Sequence, residues 1–359
     1  MNITELHAAA WQQLQQRKAQ LPHAILLTGQ EGIGKFALAK AFVEGLLCEA
    51  VQPSGVACGQ CEACRWMSHG NHPDLRVVVP EALQLVLLGA NESAEPVEKE
   101  LKELAAEGKT EKKASQEIKI DQIRALDGML SVGTHRQGLR VILIYPAEAM
   151  NRNTANSILK SLEEPPESTL FILVSSNSQQ LLPTIRSRCQ VVNIAVPRAE
   201  VSVQYLSDNG IGGAMAKQSL SLSGNAPFAA LALAERFEKG WIQQLIAYLE
   251  QGPSLDTFSA AATLEKSLKE CKESSAHRHV CEWLQKWTHD LLMAQAHLPV
   301  VYFTENARHL ERLSSKVSPR ALMTYYRKSL LPMRRDADHP LNSRLYLETL
   351  FAQYQSLFA

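Results

Sequence analysis

The sequence predicts an α/β domain with a mostly parallel sheet, followed by regions that are helical throughout. Three observations lead to this prediction. A glycine-rich, phosphate-binding type of loop at 29–36 lies between a short apolar run and a helical stretch. Further apolar runs alternate with helical stretches as far as Val196. From Pro197 onward no strand pattern remains, so the α/β domain is predicted to span residues 1–196.

The predicted strands are short apolar runs with helical segments between them. Ala24–Thr28 precedes the glycine-rich loop, and Ala37–Cys48 has the apolar spacing of a helix after it. The later predicted strands are Leu75–Val79, Val141–Tyr145, Leu170–Ser175 and Val191–Val196. This alternation is typical of a parallel sheet that is covered by helices on both faces.

The loop reads Gly-Gln-Glu-Gly-Ile-Gly-Lys-Phe and retains most of a phosphate cradle. Backbone N–H groups around Gly29, Gly32 and Gly34 can surround phosphate oxygens, and Lys35 can neutralise terminal phosphates. The next position normally carries a Ser or Thr hydroxyl that holds Mg²⁺, but here it is Phe36. The loop therefore indicates a relative of ATPases in which hydrolysis is impaired.

The composition predicts a globular chain of two or three domains without a strong overall electric field. The 359 residues include 45% apolar side chains, and 37 Lys and Arg balance 37 Asp and Glu. Any contact with DNA must therefore be local or shared with partners. The N-terminus does not resemble a signal peptide and no apolar run is long enough to span a membrane, so we predict a cytoplasmic protein without membrane contact.

Changes in composition along the chain predict three further regions. A charged insertion at about 81–117, with its core at Glu95–Lys113, shows no strand pattern and receives no chemical role. Residues 197–238 are predicted to form a small helical domain and residues 239–359 a larger one. In the larger domain Trp283 and Trp287 share a helix face, a pattern that favours a core or subunit interface over a ligand pocket.

Four of the seven cysteines are crowded into residues 48–64. Cys58, Cys61 and Cys64 are separated by two residues each, and Cys48 precedes them at the end of the first predicted helix. Such spacing in an intracellular chain predicts one structural zinc ion, because four thiolates leave no open position for a substrate. The alternative is a set of metal-free thiols. His69 and His72 are spare candidate ligands.

Three segments resemble bacterial clamp-loader subunits, which are AAA+ proteins. They are Leu21–Gly29, Asn156–Pro166 with its Leu-Glu-Glu-Pro-Pro sequence, and Leu181–Cys189 with its Ser-Arg-Cys sequence. The resemblance is strong over the first domain and weak over the rest, where Leu222–Leu231 carries it. It implies a RecA-like AAA+ domain with a zinc-binding insert, a small helical lid domain, and an all-α collar domain that assembles a pentamer.

The resemblance also implies that three parts of the ATPase site are missing. Besides Phe36, Tyr145 and Pro146 occupy the positions where active relatives carry an Asp-Glu pair that holds Mg²⁺ and positions water. Pro227 occupies the position of an arginine that reads the bound nucleotide. Glu148 lies close to the Asp-Glu position but is three residues out of register. We therefore expect no ATP hydrolysis, while nucleotide binding to the loop stays open.

The Ser-Arg-Cys segment implies that Arg188 acts on the ATP of a neighbouring subunit. A guanidinium is permanently charged and donates a planar fork of hydrogen bonds, which suits a phosphoryl group in transfer. Arg186 is a weaker second candidate, predicted to project to a different side if the segment is extended. The simpler interpretation of either arginine is an ordinary surface ion pair.

Together these features imply a non-catalytic, rigid subunit of a clamp-loader complex. The implied partners are gamma/tau-type and delta-type subunits in a hetero-pentamer, and through them the sliding clamp and primed DNA. One alternative is an active ATPase that uses Lys35 and Glu148. Another is a zinc insert that reads nucleic acid, which the single basic residue between Cys48 and Met67, Arg65, disfavours.

Overall fold

The computed structural model describes residues 1–88, 115–130, 134, 138–237, 240–270, 276–337 and 342–358. These residues form two compact units, Met1–Pro197 and Arg198–Ala359. The predicted charged insertion begins with a helix, Glu81–Leu88. Its core at Glu95–Lys113 lies outside the described residues. No helix in the described ranges combines the length and apolar character needed to cross a membrane.

A five-stranded parallel sheet forms the centre of the first unit, and its order within the described residues is β2-β3-β4-β1-β5. The strands are β1 Ala24–Thr28, β2 Leu75–Val78, β3 Arg140–Ile144, β4 Thr169–Ser175 and β5 Gln190–Asn193. All five predicted strands are confirmed. The edge strand β5 ends three residues before the predicted end, after Ile194 donates one last hydrogen bond to Thr28.

Helices cover the sheet on both faces. They are α1 Ile3–Leu6, α2 Ala8–Arg17, α3 Lys35–Leu47, α4 Glu62–Ser68, α5 Glu81–Leu88, α6 Ile120–Leu130, α7 Arg152–Glu163 and α8 Pro183–Arg186. On one face Ile142, Ile144 and Phe171 form a core with Ile123 of α6 and Ile158 of α7. Because side chains alternate along a strand, the neighbouring strand residues face α3, which packs on β1, β3 and β4.

The second unit is helical throughout its described residues, as predicted. Its helices are α9 Ala199–Asp208, α10 Gly213–Leu222, α11 Pro227–Phe237, α12 Trp241–Gln251, α13 Thr257–Glu270, α14 Ala276–Gln295, α15 Ala307–Ser314, α16 Pro319–Tyr325, α17 Leu331–Asp336 and α18 Ser343–Gln355. A π-helical turn, Tyr326–Leu330, joins α16 to α17. The predicted boundary at residue 238 stays a prediction.

Trp283 and Trp287 belong to the hydrophobic core of the second unit. The ring of Phe303 lies edge-on to both indoles, with centroid distances of 5.9 and 4.9 Å. The fully buried carboxylate of Asp290 accepts hydrogen bonds from three successive backbone N–H groups, ending with Phe303 at 2.7 Å. The Asp290 side chain therefore fixes the loop that places Phe303 against the two tryptophans.

Candidate functional site

The glycine-rich loop lies at the carboxyl end of β1 and leads directly into α3. Gly34 precedes the first residue of α3 with a φ of 93°, a left-handed conformation that side chains with a Cβ rarely adopt. At Gly29 a Cβ would lie 2.5 Å from the carbonyl oxygen of Ile194, so the loop passes close to the residue after β5. The predicted loop is thus placed where parallel α/β sheets bind ligands.

Lys35 is turned inward and bonded to its own chain. Its ammonium donates to the Gln30 carbonyl at 2.5 Å and to the Ser176 hydroxyl at 3.0 Å. The Ser176 backbone N–H donates to Glu148 Oε1 at 2.8 Å. Burial lowers the pKa of Lys35, while the charge of Glu148 acts in the opposite direction. The lysine that would meet a phosphate therefore already has two oxygen acceptors from its own chain.

Phe36 and Tyr145 contact each other beside this network. Their ring centroids are 4.9 Å apart and the planes are tilted by 32°. Burial raises the pKa of Tyr145, with Glu31 and Glu148 adding to the effect, so the phenol is neutral. An aromatic pair thus stands at the two positions to which the resemblance assigns Mg²⁺ ligands. Pro227, at the third position, begins α11 in the second unit.

His7 supports the loop from the N-terminal helices. Its Nε2 lies 2.7 Å from the carbonyl oxygen of Ile33, and because a carbonyl only accepts, Nε2 carries the proton and donates it. Burial lowers the pKa of His7, which favours the neutral ring. Sequence analysis missed both His7 and Ser176, since neither lies in a recognisable motif.

The four predicted cysteines come together in space. All four Sγ atoms lie within 4.8 Å of one another. Three pairs are Cys48–Cys61 at 3.9 Å, Cys58–Cys64 at 3.9 Å and Cys48–Cys64 at 3.7 Å. A tetrahedron with Zn–S bonds of about 2.3 Å has sulfur atoms about 3.8 Å apart. The spacing therefore fits a metal ion held by four thiolates.

Backbone N–H groups point at the sulfur atoms and favour their charged form. Cys58 Sγ accepts from Gln60 and Cys61, and these bonds lower the pKa of Cys58 to about 6. Burial raises the pKa of Cys64 to about 12. A nearby cation would offset that burial, because it stabilises the thiolate.

The cysteine segment is attached to the helices that carry the loop. The indole of Trp11 on α2 donates to the Ser54 carbonyl at 2.9 Å. A Cβ at Gly45 of α3 would lie 2.2 Å from the carbonyl oxygen of Gly55, so only glycine fits where the segment crosses the helix. The two spare histidines lie outside the sulfur cluster. His69 Nδ1 bonds the Arg65 carbonyl, and His72 is buried, accepting from the Asp74 N–H.

Arg188 extends from the turn between α8 and β5. Its Nη2 lies 2.6 Å from Glu163 Oε1, and its Nη1 donates to the Thr184 carbonyl at 2.9 Å. Glu163 is the first glutamate of the Leu-Glu-Glu-Pro-Pro sequence, so the two quoted motifs meet here. Sequence analysis did not predict this pairing. The side chain of Arg188 remains 32% exposed.

The condition under which Arg186 was expected to project to a different side, an extended segment, is not met. Residues Pro183–Arg186 form the short helix α8, and Ser187 continues the helical backbone conformation. Pro183 stands at the start of this helix, where its fixed φ and missing N–H are favourable. Arg186 is exposed and ends the helix.

Comparison with known proteins decides the family. A family model described as DNA polymerase III, delta subunit, matches residues 6–198. The DNA polymerase III subunit delta' of Pseudomonas aeruginosa is 31% identical, and the match covers 97% of this chain and 96% of the relative. The chain belongs to the DNA polymerase III delta-prime family. The resemblance to this clamp-loader family that the sequence motifs suggested is confirmed.

A further relative agrees with the assignment, and one solved structure is reported for its similarity alone. The delta' subunit of Escherichia coli is 30% identical, with 67% of this chain and 64% of the relative covered. A solved structure of a gamma subunit-related protein from Thermotoga maritima covers 98% of this chain and 99% of that chain, at 15% identity and a TM-score of 0.40. The α/β AAA+ fold class with a cysteine insert and a helical C-terminal region is confirmed by the topology together with the family.

The sulfur cluster generates a prediction about metal content. Full-length protein dialysed against a weak chelator should retain close to one zinc ion per chain, and Cys61→Ser should lose it, because three thiolates do not close the tetrahedron. Zinc is measured by plasma mass spectrometry, and thermal unfolding of the variant should begin at a lower temperature. His69→Ala, which removes an exposed spare ligand, should keep the metal. Equal zinc in wild type and Cys61→Ser would contradict the assignment.

The inward lysine generates a prediction about stability. Lys35→Met keeps the aliphatic stem but removes the donor to the Gln30 carbonyl and the Ser176 hydroxyl. We expect the free energy of unfolding to fall by about 1–3 kcal/mol in urea denaturation of the full chain. Lys40→Met, an exposed lysine on the same helix, should change it by less than about 0.5 kcal/mol. Equal effects of the two substitutions would show that the network contributes nothing.

Proposed function

We propose that this chain is a non-catalytic subunit of the DNA polymerase III clamp-loader complex, acting as a rigid arm that supplies Arg188 in trans to a neighbouring ATPase subunit. The observation that carries the proposal is the aromatic contact of Phe36 with Tyr145 in the chain's own nucleotide site. Beside it, the Ser-Arg-Cys sequence keeps Arg188 partly exposed. The chain lacks Mg²⁺ ligands in its own nucleotide site but keeps a partly exposed arginine, which supports a role in another subunit's reaction.

Loss of hydrolysis follows from the metal chemistry. Mg²⁺ bridges the terminal phosphates and offsets charge that develops as they separate, and it needs oxygen ligands. Two aromatic rings supply none at the loop and strand positions. In addition, phosphate would have to displace Gln30 and Ser176 from the Lys35 ammonium. In this proposal, phosphate or nucleotide therefore binds only weakly and is not turned over. The residues that would bind it are Gly29, Gly32, Gly34 and Lys35.

Arg188 is available to a neighbour because its present partner is exposed. The Glu163 side chain is 49% exposed, and ion pairs at such sites contribute less than about 1 kcal/mol. The γ-phosphate of ATP bound to another subunit carries more charge and several acceptor oxygens. Exchange of one carboxylate for the phosphate is therefore favourable once the subunits assemble.

The proposed metal is one structural zinc ion held by Cys48, Cys58, Cys61 and Cys64. The S–S distances and the closed set of four sulfur ligands support this role. The ion would fix the segment against α2 and the C-terminal end of α3. A zinc site that reads nucleic acid is less well supported, since Arg65 is the only Lys or Arg between Cys48 and Met67.

The proposed partners follow from the family. They are gamma/tau-type and delta-type subunits in a hetero-pentamer that forms through the C-terminal helices, with the sliding clamp and primed DNA bound through the complex. The proposed place of action is the cytoplasm, during DNA replication. The proposed division of the chain is an AAA+ domain at 1–196, a lid at 197–238 and a collar at 239–359.

Arg188→Ala tests the role in trans. In a reconstituted loader we expect clamp loading to slow by at least about tenfold, because arginine fingers contribute about 10³–10⁵ in rate at the site they serve. Arg186→Ala is the matched control, with the same change in charge two residues away, and should behave as wild type. Gel filtration checks that both complexes assemble. Unchanged DNA-stimulated ATP hydrolysis with Arg188→Ala would reject the proposed role.

A phosphate-release assay separates the proposal from an active ATPase. The purified chain alone should release no phosphate above a no-protein control, with or without DNA, and Lys35→Ala should leave that result unchanged. In the alternative, Glu148 would act as a metal ligand, yet its Oε1 already accepts from Ser176. Turnover by the wild type that Lys35→Ala abolishes would support the alternative.

A further inference from the structure

A cluster of basic residues lies in the second unit, although the chain as a whole is neutral. Residues 308–335 contain eight Lys and Arg and one acidic residue, Glu311. The basic residues are Arg308, Arg312, Lys316, Arg320, Arg327, Lys328, Arg334 and Arg335. Asp336 follows directly. This excess of positive charge is confined to one segment and does not appear in the net charge of the whole chain.

Most of these cations are free to meet a ligand. Arg334 is committed, since its guanidinium pairs with Glu282 at 3.2 Å and donates to Gln285 at 3.0 Å. The other seven are exposed and form no ion pair with another residue of the described ranges. Seven like charges repel one another, and folding offers them no compensating anion. An anionic partner would remove that cost.

A single helical rod carries the central members of the cluster. It runs from Pro319 to Asp336 through the π-helical turn at Tyr326–Leu330. Pro332 lacks an N–H and its ring conflicts with the carbonyl four residues earlier, so a wider turn here lets the helix continue. The distance from Arg320 to Arg335 along the rod is about 22 Å. Leu322, Tyr325 and Leu330 bury the inner face.

A groove of about 510 Å³ lies against this rod. Its polar lining includes Ser318, Arg320, Thr324, Lys328, Ser329 and Ser356. Ser318 Oγ accepts from the Ala321 N–H, which leaves its hydroxyl hydrogen available, and Ser329 forms no side-chain hydrogen bond with another described residue. Two cations and two hydroxyl donors therefore converge on one open groove, which matches the needs of a phosphate group.

We propose that this rod and groove bind the phosphodiester backbone of DNA, without regard to sequence. Phosphates of one strand of duplex DNA are about 3.4 Å apart, so 22 Å of rod faces about six of them. A protein partner is a poorer fit, because protein interfaces depend on buried aromatic or aliphatic anchors. The apolar lining is limited to Ala321, Leu357 and the buried Tyr325. The proposal goes beyond the role of Arg188 and requires no ATP.

The test measures DNA binding by the full-length chain alone. Fluorescence anisotropy with labelled 30-base-pair duplex and 30-nucleotide single-stranded probes is followed from 50 to 200 mM salt. We expect a Kd of about 10⁻⁶–10⁻⁴ M near physiological salt. Arg320→Gln with Lys328→Gln should weaken binding about 10- to 100-fold at 100 mM salt and reduce the slope of log K against log salt by about two.

The control double variant is Lys217→Gln with Lys266→Gln, which removes the same charge from exposed positions on α10 and α13 of the same unit. It should retain wild-type affinity and slope. Thermal unfolding checks that both variants fold. Equal losses in the two variants, no wild-type binding at 50 mM salt, or tighter binding of a poly-glutamate peptide than of DNA at matched charge would each overturn the proposal. None of these outcomes bears on the Arg188 test, which uses the assembled loader.

Discussion

The arrangement of the first unit depends on compensation of one buried ammonium group. Lys35 is only 4% exposed, and a cation at that depth is unfavourable unless an anion and hydrogen-bond acceptors surround it. The Gln30 carbonyl and the Ser176 hydroxyl accept hydrogen bonds from it, and Glu148, which accepts from the Ser176 N–H, acts on it as a nearby negative charge. The loop after β1, the end of β4 and the turn after β3 are thereby joined at one point.

Charge compensation differs between the glycine-rich loop and Arg188, the two sites of this unit. At the loop, charge is neutralised inside the chain, and the neighbouring positions are filled by Phe36 and Tyr145. At Arg188, charge is neutralised near the surface by Glu163. The sulfur cluster lies at the other end of α3, where Gly45 of that helix and Trp11 of α2 hold the cysteine segment.

Most of the fold could be predicted from local patterns, because each of these patterns lies within consecutive residues. The strands are short apolar runs, and the cysteine spacing predicted that four thiols lie together. The helix at Pro183–Arg186 also carried a local signal, since Pro183 favours the first turn of a helix. What the sequence did not reveal were pairings between distant residues, such as Lys35 with Ser176, 141 positions later. Lys35 belongs to the glycine-rich loop but Ser176 lies in no recognisable motif, so only the folded sheet reveals their contact.

The contact of Arg188 with Glu163 has a consequence for assembly. An arginine side chain that is free in water samples many rotamers, and restricting it costs up to about 2 kcal/mol of conformational entropy. Here the carboxylate and the Thr184 carbonyl already restrict the guanidinium in the isolated chain. Most of the ordering is completed when the polypeptide folds. In the proposed role in trans, this side chain would therefore lose less conformational entropy on assembly than an unrestricted arginine.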